Sequence, residues 1–136
     1  MTPANAKFLI AEDSESMRRC VCDVMKDLGV VFVDEAPHGR AAWDLFRRSA
    51  YDVVITDWNM PYLSGLELLR SIRGGATRAS TPVVILSGEV SGLRANEAFA
   101  AGATGIVNKP FVMPGLPDQV LRILASLHEP APAISH

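Results

Sequence analysis

Val53-Val54-Ile55-Thr56-Asp57 is apolar almost throughout and then stops at an acid. A β-rich run without alternation fits a strand covered on both faces, the kind found inside parallel sheets. Moving outward, the pattern repeats. Lys7-Phe8-Leu9-Ile10-Ala11 is an apolar run followed by Glu12-Asp13-Ser14. From Glu15 to Leu28, Met17, Val21, Val24, Met25 and Leu28 recur at helical spacing, and Gly29 is a natural stop. Val30-Val31-Phe32-Val33 reads as the next strand, and Gly39 to Arg48 as a helix with Ala42, Leu45 and Phe46 inward.

Beyond the quoted run the alternation continues. Ser64 to Arg73 is helical with Leu66, Leu69 and Ile72 on one face, ending at Gly74-Gly75. Val83-Val84-Ile85-Leu86 is a strand, Leu93 to Ala101 a helix closed by Gly102, and Gly105-Ile106-Val107-Asn108 a short fifth strand. A last helix runs to about His128, burying Val120, Leu121, Ile123, Leu124 and Leu127. Pro114 and Pro117 move its regular start to Leu116 or Pro117, since proline fits a first turn and not an interior. Five strands alternating with five helices predict an α/β fold with a parallel sheet and right-handed crossovers.

The 136 residues suit one domain, with 49% hydrophobic and 21% charged residues, so a packed core is expected and disorder is not. The formal net charge of −2, with scattered Lys and Arg, gives no electrostatic case for nucleic acid or an anionic membrane. No apolar run approaches a membrane span, and residues 1–7 do not read as a signal peptide. Cys20 and Cys22, two apart on a helix, point to different faces and read as thiols of a reducing cytosol. We expect a domain over residues 1–128 and a loose tail, rich in proline, over 129–136.

In open parallel sheets ligands bind beyond the carboxyl ends of the strands. There the sequence places Glu12 and Asp13, then Asp57, then Ser87 with Gly88, then Lys109 with Pro110. Singly, each has an ordinary reading. Asp13 or Ser14 would cap a helix, Ser87 would serve a turn, and Lys109 would be solvated. Meeting at one rim, they read better as a site. Two or three carboxylates suffice for Mg²⁺, and the cation and a lysine would balance their repulsion. Phosphoryl transfer asks for an oxygen nucleophile, which Asp57 offers. It also asks for positive charge and donors around the phosphoryl oxygens, which a metal, Lys109 and the Ser87 hydroxyl offer. Gly88 leaves room beside the reacting centre.

Asp57-Trp58-Asn59-Met60-Pro61, continuing to Gly65-Leu66-Glu67-Leu68-Leu69, resembles the phosphorylation segment of two-component response regulators, especially the single-domain chemotaxis regulators. Glu12-Asp13, Leu86-Ser87-Gly88 and Lys109-Pro110-Phe111 follow in the family's order, over about Lys7 to Leu127. The resemblance implies a flavodoxin-like receiver fold with strand order 2-1-3-4-5. It implies Asp57 as phosphoacceptor and Mg²⁺ on Asp13, Asp57, the Asn59 backbone carbonyl, and Glu12 directly or through water. Ser87 would bond the phosphoryl group and shift on activation. Lys109 would pair with that group, preceding a cis bond to Pro110, and Asn59 and Glu89 would flank the attacking water. Ile106 departs from the pattern, since many receivers carry Tyr or Phe there, so a smaller or different rearrangement is expected on the surface of the last two helices and the fifth strand.

The expected function is a stand-alone, monomeric, cytoplasmic response regulator. It would take a phosphoryl group from a sensor histidine kinase or histidine phosphotransfer protein and signal to an unknown output protein. Its only chemistry would be self-catalysed transfer and slow hydrolysis. Met17 and Arg18 lie on the helix face such donors contact in this family. Trp58 is expected at the core edge beside the site, and His38, His128 and His136 carry no assigned role. A receiver piece of a hybrid kinase or multidomain regulator, or a phosphorylation-independent scaffold, is the alternative. A hydrolase of the haloacid dehalogenase type would place a second Asp where Asn59 stands.

Overall fold

The computed structural model describes residues 1–88, 92–109 and 115–127. After a 3₁₀ turn at Pro3–Asn5 come β1 (Lys7–Ala11), α1 (Glu15–Asp27), β2 (Phe32–Ala36), α2 (Gly39–Arg48) and β3 (Val53–Asp57). Then follow α3 (Gly65–Arg73), β4 (Val83–Ser87), α4 (Gly92–Ala100), β5 (Gly105–Asn108) and α5 (Gly115–Ser126). The five strands form one sheet in the order β2-β1-β3-β4-β5, and every pairing is parallel.

Burial explains the central strands. All five residues of β3 and of β4 are buried, as expected when helices cover both faces. Alternate residues feed two separate cores. Phe8, Ile10, Val53 and Ile55 pack with Val21 and Met25 of α1 and Val120 and Leu124 of α5. Leu9, Val54, Val83 and Ile85 pack on the other face with Ala42 and Phe46 of α2 and Leu69 and Ile72 of α3. Each large apolar side chain so buried contributes roughly 1.5–3 kcal/mol.

Helix starts are set by local chemistry. Ser14 accepts from the Met17 N–H, so the cap of α1 is Ser14 and not Asp13. Ser64 and Glu67 form a reciprocal capping box at the start of α3, which satisfies two otherwise orphaned donors. At α2 the cap is His38, whose Nδ1 accepts from the Ala41 N–H at 3.1 Å, a role the sequence did not suggest for it.

Boundaries moved where expectation leaned on hydropathy. The second strand begins at Phe32, not Val30, and continues through Asp34 and Glu35 to Ala36. Val30 is buried beneath the turn after Gly29, while β2 is an edge strand whose register runs from Lys7↔Phe32 to Ala11↔Ala36. Its acids are held by partners from elsewhere in the chain. Tyr51 Oη donates to Asp34 at 2.6 Å, and Arg18 Nε lies 3.0 Å from Glu35. The last helix begins at Gly115, ahead of the expected Leu116 or Pro117, and Pro117 sits in its first turn. The tail over 129–136, the Lys109–Pro110 bond, Glu89, Phe111, Pro114 and His128 lie outside the described residues.

One contact fixes the exit of β3. The Gly65 N–H donates to the Trp58 carbonyl at 2.8 Å, and a Cβ on Gly65 would collide with the Asp57 carbonyl. The start of α3 can therefore press against the end of β3 only with glycine there. Gly65→Ala should cost about 1–3 kcal/mol through forced backbone displacement. Gly88→Ala, whose added Cβ meets nothing within 4 Å, should stay within about 0.5 kcal/mol of wild type. Urea unfolding of the two variants beside wild type checks both values.

Candidate functional site

A parallel sheet brings every strand's carboxyl end to the same edge. Asp57 ends β3 and Ser87 ends β4, Glu12 follows β1, and Lys109 follows β5. The ladder continues past the strands to fix these positions. The Glu12 N–H donates to the Ala36 carbonyl at 3.1 Å, that of Trp58 to Leu86 at 2.8 Å, and that of Lys109 to Ser87 at 2.7 Å.

At this edge the carboxylates of Glu12, Asp13 and Asp57 converge, with one oxygen from each within 4.8 Å of the others. Glu12 is fully buried, Asp57 is 4% exposed, and Asp13 faces solvent. Lys109 Nζ enters the group, 3.2 Å from Asp57 Oδ1 and 3.4 Å from Glu12 Oε2. Asn59 and Asp13 line a neighbouring surface hollow with Met60, Pro61 and Ser64. Three oxygen donors with one open, solvent-facing member suit a hard divalent cation that keeps part of its water shell.

The electrostatics record the crowding. Burial first, then the charge of Asp57, pushes the Glu12 carboxyl up to about 7, against the opposing pull of the Ser14 N–H and Lys109. The Ser14 N–H reaches Glu12 Oε1 at 3.2 Å. For Lys109, burial works against the charged form. The charges of Asp57 and then Glu12 outweigh it and hold the ammonium above its ordinary pKa.

The expected residues Glu12, Asp13, Asp57 and Lys109 are thus brought together. Ser87 is fully buried at the adjoining strand end, and its Oγ accepts from Arg94 Nη1 at 3.3 Å. Trp58 is 6% exposed, in keeping with a core-edge position. Arg18 does more than offer a solvated helix face. Its Nη1 donates to the Glu12 carbonyl at 2.8 Å while Nε holds Glu35, so α1 and β2 together pin the turn carrying Glu12. Arg18 was expected beside the site, but its hold on the Glu12 carbonyl was not legible, and Arg94 was not legible as a site neighbour, because each reaches its partner across separate elements.

Two features near the site are conformational. Tyr62 has φ +71°, and the Leu63 N–H donates back to the Pro61 carbonyl at 2.8 Å. This is a γ-turn of the strained kind, with the exposed Tyr62 ring set edge-on to His38 at 4.8 Å. At the opposite flank, the Ile106 carbonyl accepts from Gln119 Nε2 at 3.1 Å. A surface hollow of about 350 Å³ there is lined by Phe99, Ile106, Gln119 and Arg122, among others. The cysteines are thiols, Cys20 exposed and Cys22 half-buried. Burial, and next Glu35, pushes Cys22 up to about 11, which keeps it protonated at neutral pH. Among the described residues no helix is long and apolar enough to cross a membrane.

Comparison with known proteins agrees with this geometry. The family model for the response regulator receiver domain matches residues 8–121. Chemotaxis protein CheY-3 of Vibrio cholerae is 35% identical over 123 residues, 90% of this chain and 95% of that protein. Chemotaxis protein CheY of Pseudomonas aeruginosa is 34% identical over 117 residues, 86% of this chain and 94% of its own. Among solved structures, the receiver domain of the Francisella response regulator 1452 superposes with a TM-score of 0.83 at 30% identity. That match covers 90% of this chain and 99% of the Francisella chain.

The Glu12 shift has a sign that can be measured. Its folded-state value of about 7 lies above the ordinary 4.5, so between those values the folded chain binds more protons than the unfolded one. Stability from this group is therefore fully present below about 4.5 and declines as pH rises toward 7. Glu12→Gln should remove that decline. Without added divalent cation, the variant should match wild type near pH 4 and exceed it at pH 8 by up to about 3 kcal/mol. Chemical denaturation at the two pH values reads the difference directly.

Proposed function

The chain belongs to the response regulator receiver family, and on that premise we propose that Asp57 accepts a phosphoryl group and that the domain acts as a phosphorylation switch. The observation carrying this reading is the Asp57 carboxylate held 3.2 Å from Lys109 Nζ inside a cluster with Glu12 and Asp13. An Asp57 oxygen attacks phosphorus of a phosphohistidine donor. The bond from phosphorus to the donor nitrogen breaks, and its electron pair returns to the imidazole. Lys109 offers an ammonium to the phosphoryl oxygens, and the Ser87 hydroxyl offers a proton.

Glu12, Asp13, Asp57 and the backbone carbonyl of Asn59 would hold Mg²⁺. When bound, the ion supplies charge neutralisation between the carboxylates and the incoming phosphoryl oxygens. The carboxylate set itself supports that choice, since buried acids so close need cations to stay ionised.

The donor is a sensor histidine kinase or a histidine phosphotransfer protein in the cytoplasm. The output is contact with another protein, and the chain turns over no external substrate. The exposed apolar residues Leu93, Phe99 and Leu121, the last of which was expected on the buried side of the helix and instead faces outward, support an output surface over α4, β5 and α5. There Ile106 replaces an aromatic lever, and the rearrangement on activation is correspondingly smaller or different. The chain works as a monomeric, stand-alone regulator over residues 1–128.

Incubation with acetyl phosphate and Mg²⁺, followed by intact mass measurement, tests the reading. Wild type should gain the mass of one phosphoryl group, Asp57→Asn should gain none, and Lys109→Ala should load at least about tenfold more slowly. An adduct of equal yield on Asp57→Asn, or none on wild type, would sink it.

A further inference from the structure

Arg94, in the first turn of α4, touches the site at two points. Its Nη1 donates to the Ser87 hydroxyl at 3.3 Å, and its guanidinium lies 4.2 Å above the Trp58 ring. Ser87 ends β4, and Trp58 directly follows Asp57 at the end of the neighbouring β3. One cation therefore spans the hydroxyl of one strand end and the residue next to the acceptor on the other. Both partners are buried, Ser87 completely and Trp58 to within 6%. Solvent screens such contacts less than it screens a surface pair.

The direction of the hydrogen bond matters. A hydroxyl has one proton to give and two lone pairs to accept with. Accepting from a guanidinium uses a lone pair and leaves the proton as the group's means of donating. A cationic donor also polarises the O–H and strengthens the bond it makes in turn. Lys109, at the same rim, is held by Asp57 and Glu12. Ile106, which stands opposite Ile85 on the adjacent strand, brings no polar side-chain atom to that hydroxyl.

We propose that Arg94 is a positioning residue for phosphoryl binding. It orients and polarises the Ser87 hydroxyl so that the proton meets a phosphoryl oxygen on Asp57, and it ties the first turn of α4 to that contact. The inference rests on the phosphoacceptor reading of Asp57, deepening it by naming what sets Ser87. A cation–π contact that merely packs α4 onto Trp58 would give Arg94 no influence on phosphoryl affinity through Ser87, and the test separates the two.

Beryllofluoride with Mg²⁺, titrated calorimetrically into the full chain, serves as the probe, with Mg²⁺ alone as the reference titration. Arg94→Ala should weaken beryllofluoride binding about tenfold, the scale of one hydrogen bond to a charged group, and leave the affinity for Mg²⁺ alone unchanged. Arg94→Lys, which keeps a cationic donor, should recover part of the loss. In a Ser87→Ala background, Arg94→Ala should cost less than about twofold, because the two act through one contact. An equal tenfold loss in that background, or an equal fall in Mg²⁺ affinity, overturns the inference while leaving Asp57 as acceptor. No beryllofluoride binding by wild type overturns the phosphoacceptor reading and this inference together. Indole emission gives a second check in Trp43→Phe, where Trp58 is the remaining tryptophan. Arg94→Ala should shift that emission before any ligand is added, and an unchanged spectrum overturns the contact.

Discussion

Three carboxylates with oxygens within 4.8 Å of one another repel, and two of the three residues are buried. Such a group survives at a strand edge only where cations or protons balance it. Lys109 supplies one charge from the far side of the sheet, and the raised Glu12 carboxyl marks the remainder that it does not cover. The geometry of the parallel sheet creates this tension and also makes it useful. Because β1, β3, β4 and β5 all point the same way, their polar exits cannot be spread over the surface. They meet at one rim, above a core that tolerates no further polar groups. A divalent cation at that rim would offset the crowding.

The packing beneath the rim serves this arrangement. Full burial of β3 and β4 fixes where Asp57 and Ser87 emerge. Gly65 brings α3 against the Asp57 backbone, so the main chain of Asp57 is clamped between Leu86 and the start of a helix. Arg18 fixes the Glu12 carbonyl from the opposite side. Preorganised groups lose little freedom when a charged ligand arrives, so stability spent on these contacts appears later as affinity.

Much of this was legible from the order of residues, and the reason is specific. β1, α2 and β5 fall where their hydropathy places them, because these elements either alternate regularly or are apolar throughout. The site residues Glu12, Asp13, Asp57 and Lys109 were legible because a strand end is a position that sequence marks. β2 was misjudged by two residues at its start because an edge strand is half solvated. Its Asp34 and Glu35 are stabilised by Tyr51, Lys7 and Arg18, partners that no local window contains. Arg94 and the His38 cap were missed for related reasons. Arginine on a helix has many possible partners, and which one it takes depends on how α4 packs against β5. Histidine is an uncommon helix cap, and only the turn before α2 aims its Nδ1 at the Ala41 N–H.

Lys109 and Arg94 differ in what they can transmit. Lys109 is already engaged by Asp57 and Glu12 in the resting chain. A new anion on Asp57 would exchange one partner for another at nearly the same place, so β5 gains little reason to move. Among its contacts Arg94 engages the Ser87 hydroxyl and the Trp58 face, and both of these depend on where the Ser87 side chain and Trp58 sit. A ligand shifts an equilibrium only by its differential interaction with the two states. On the proposed reading, that difference is larger on the Ser87 side than on the Lys109 side. It is delivered to the first turn of α4, where Leu93 is 83% exposed and adjoins Arg94 in sequence. On that reading Lys109 balances charge while Ser87 and Arg94 carry the change, and an isoleucine at position 106 is compatible with a switch read chiefly through α4.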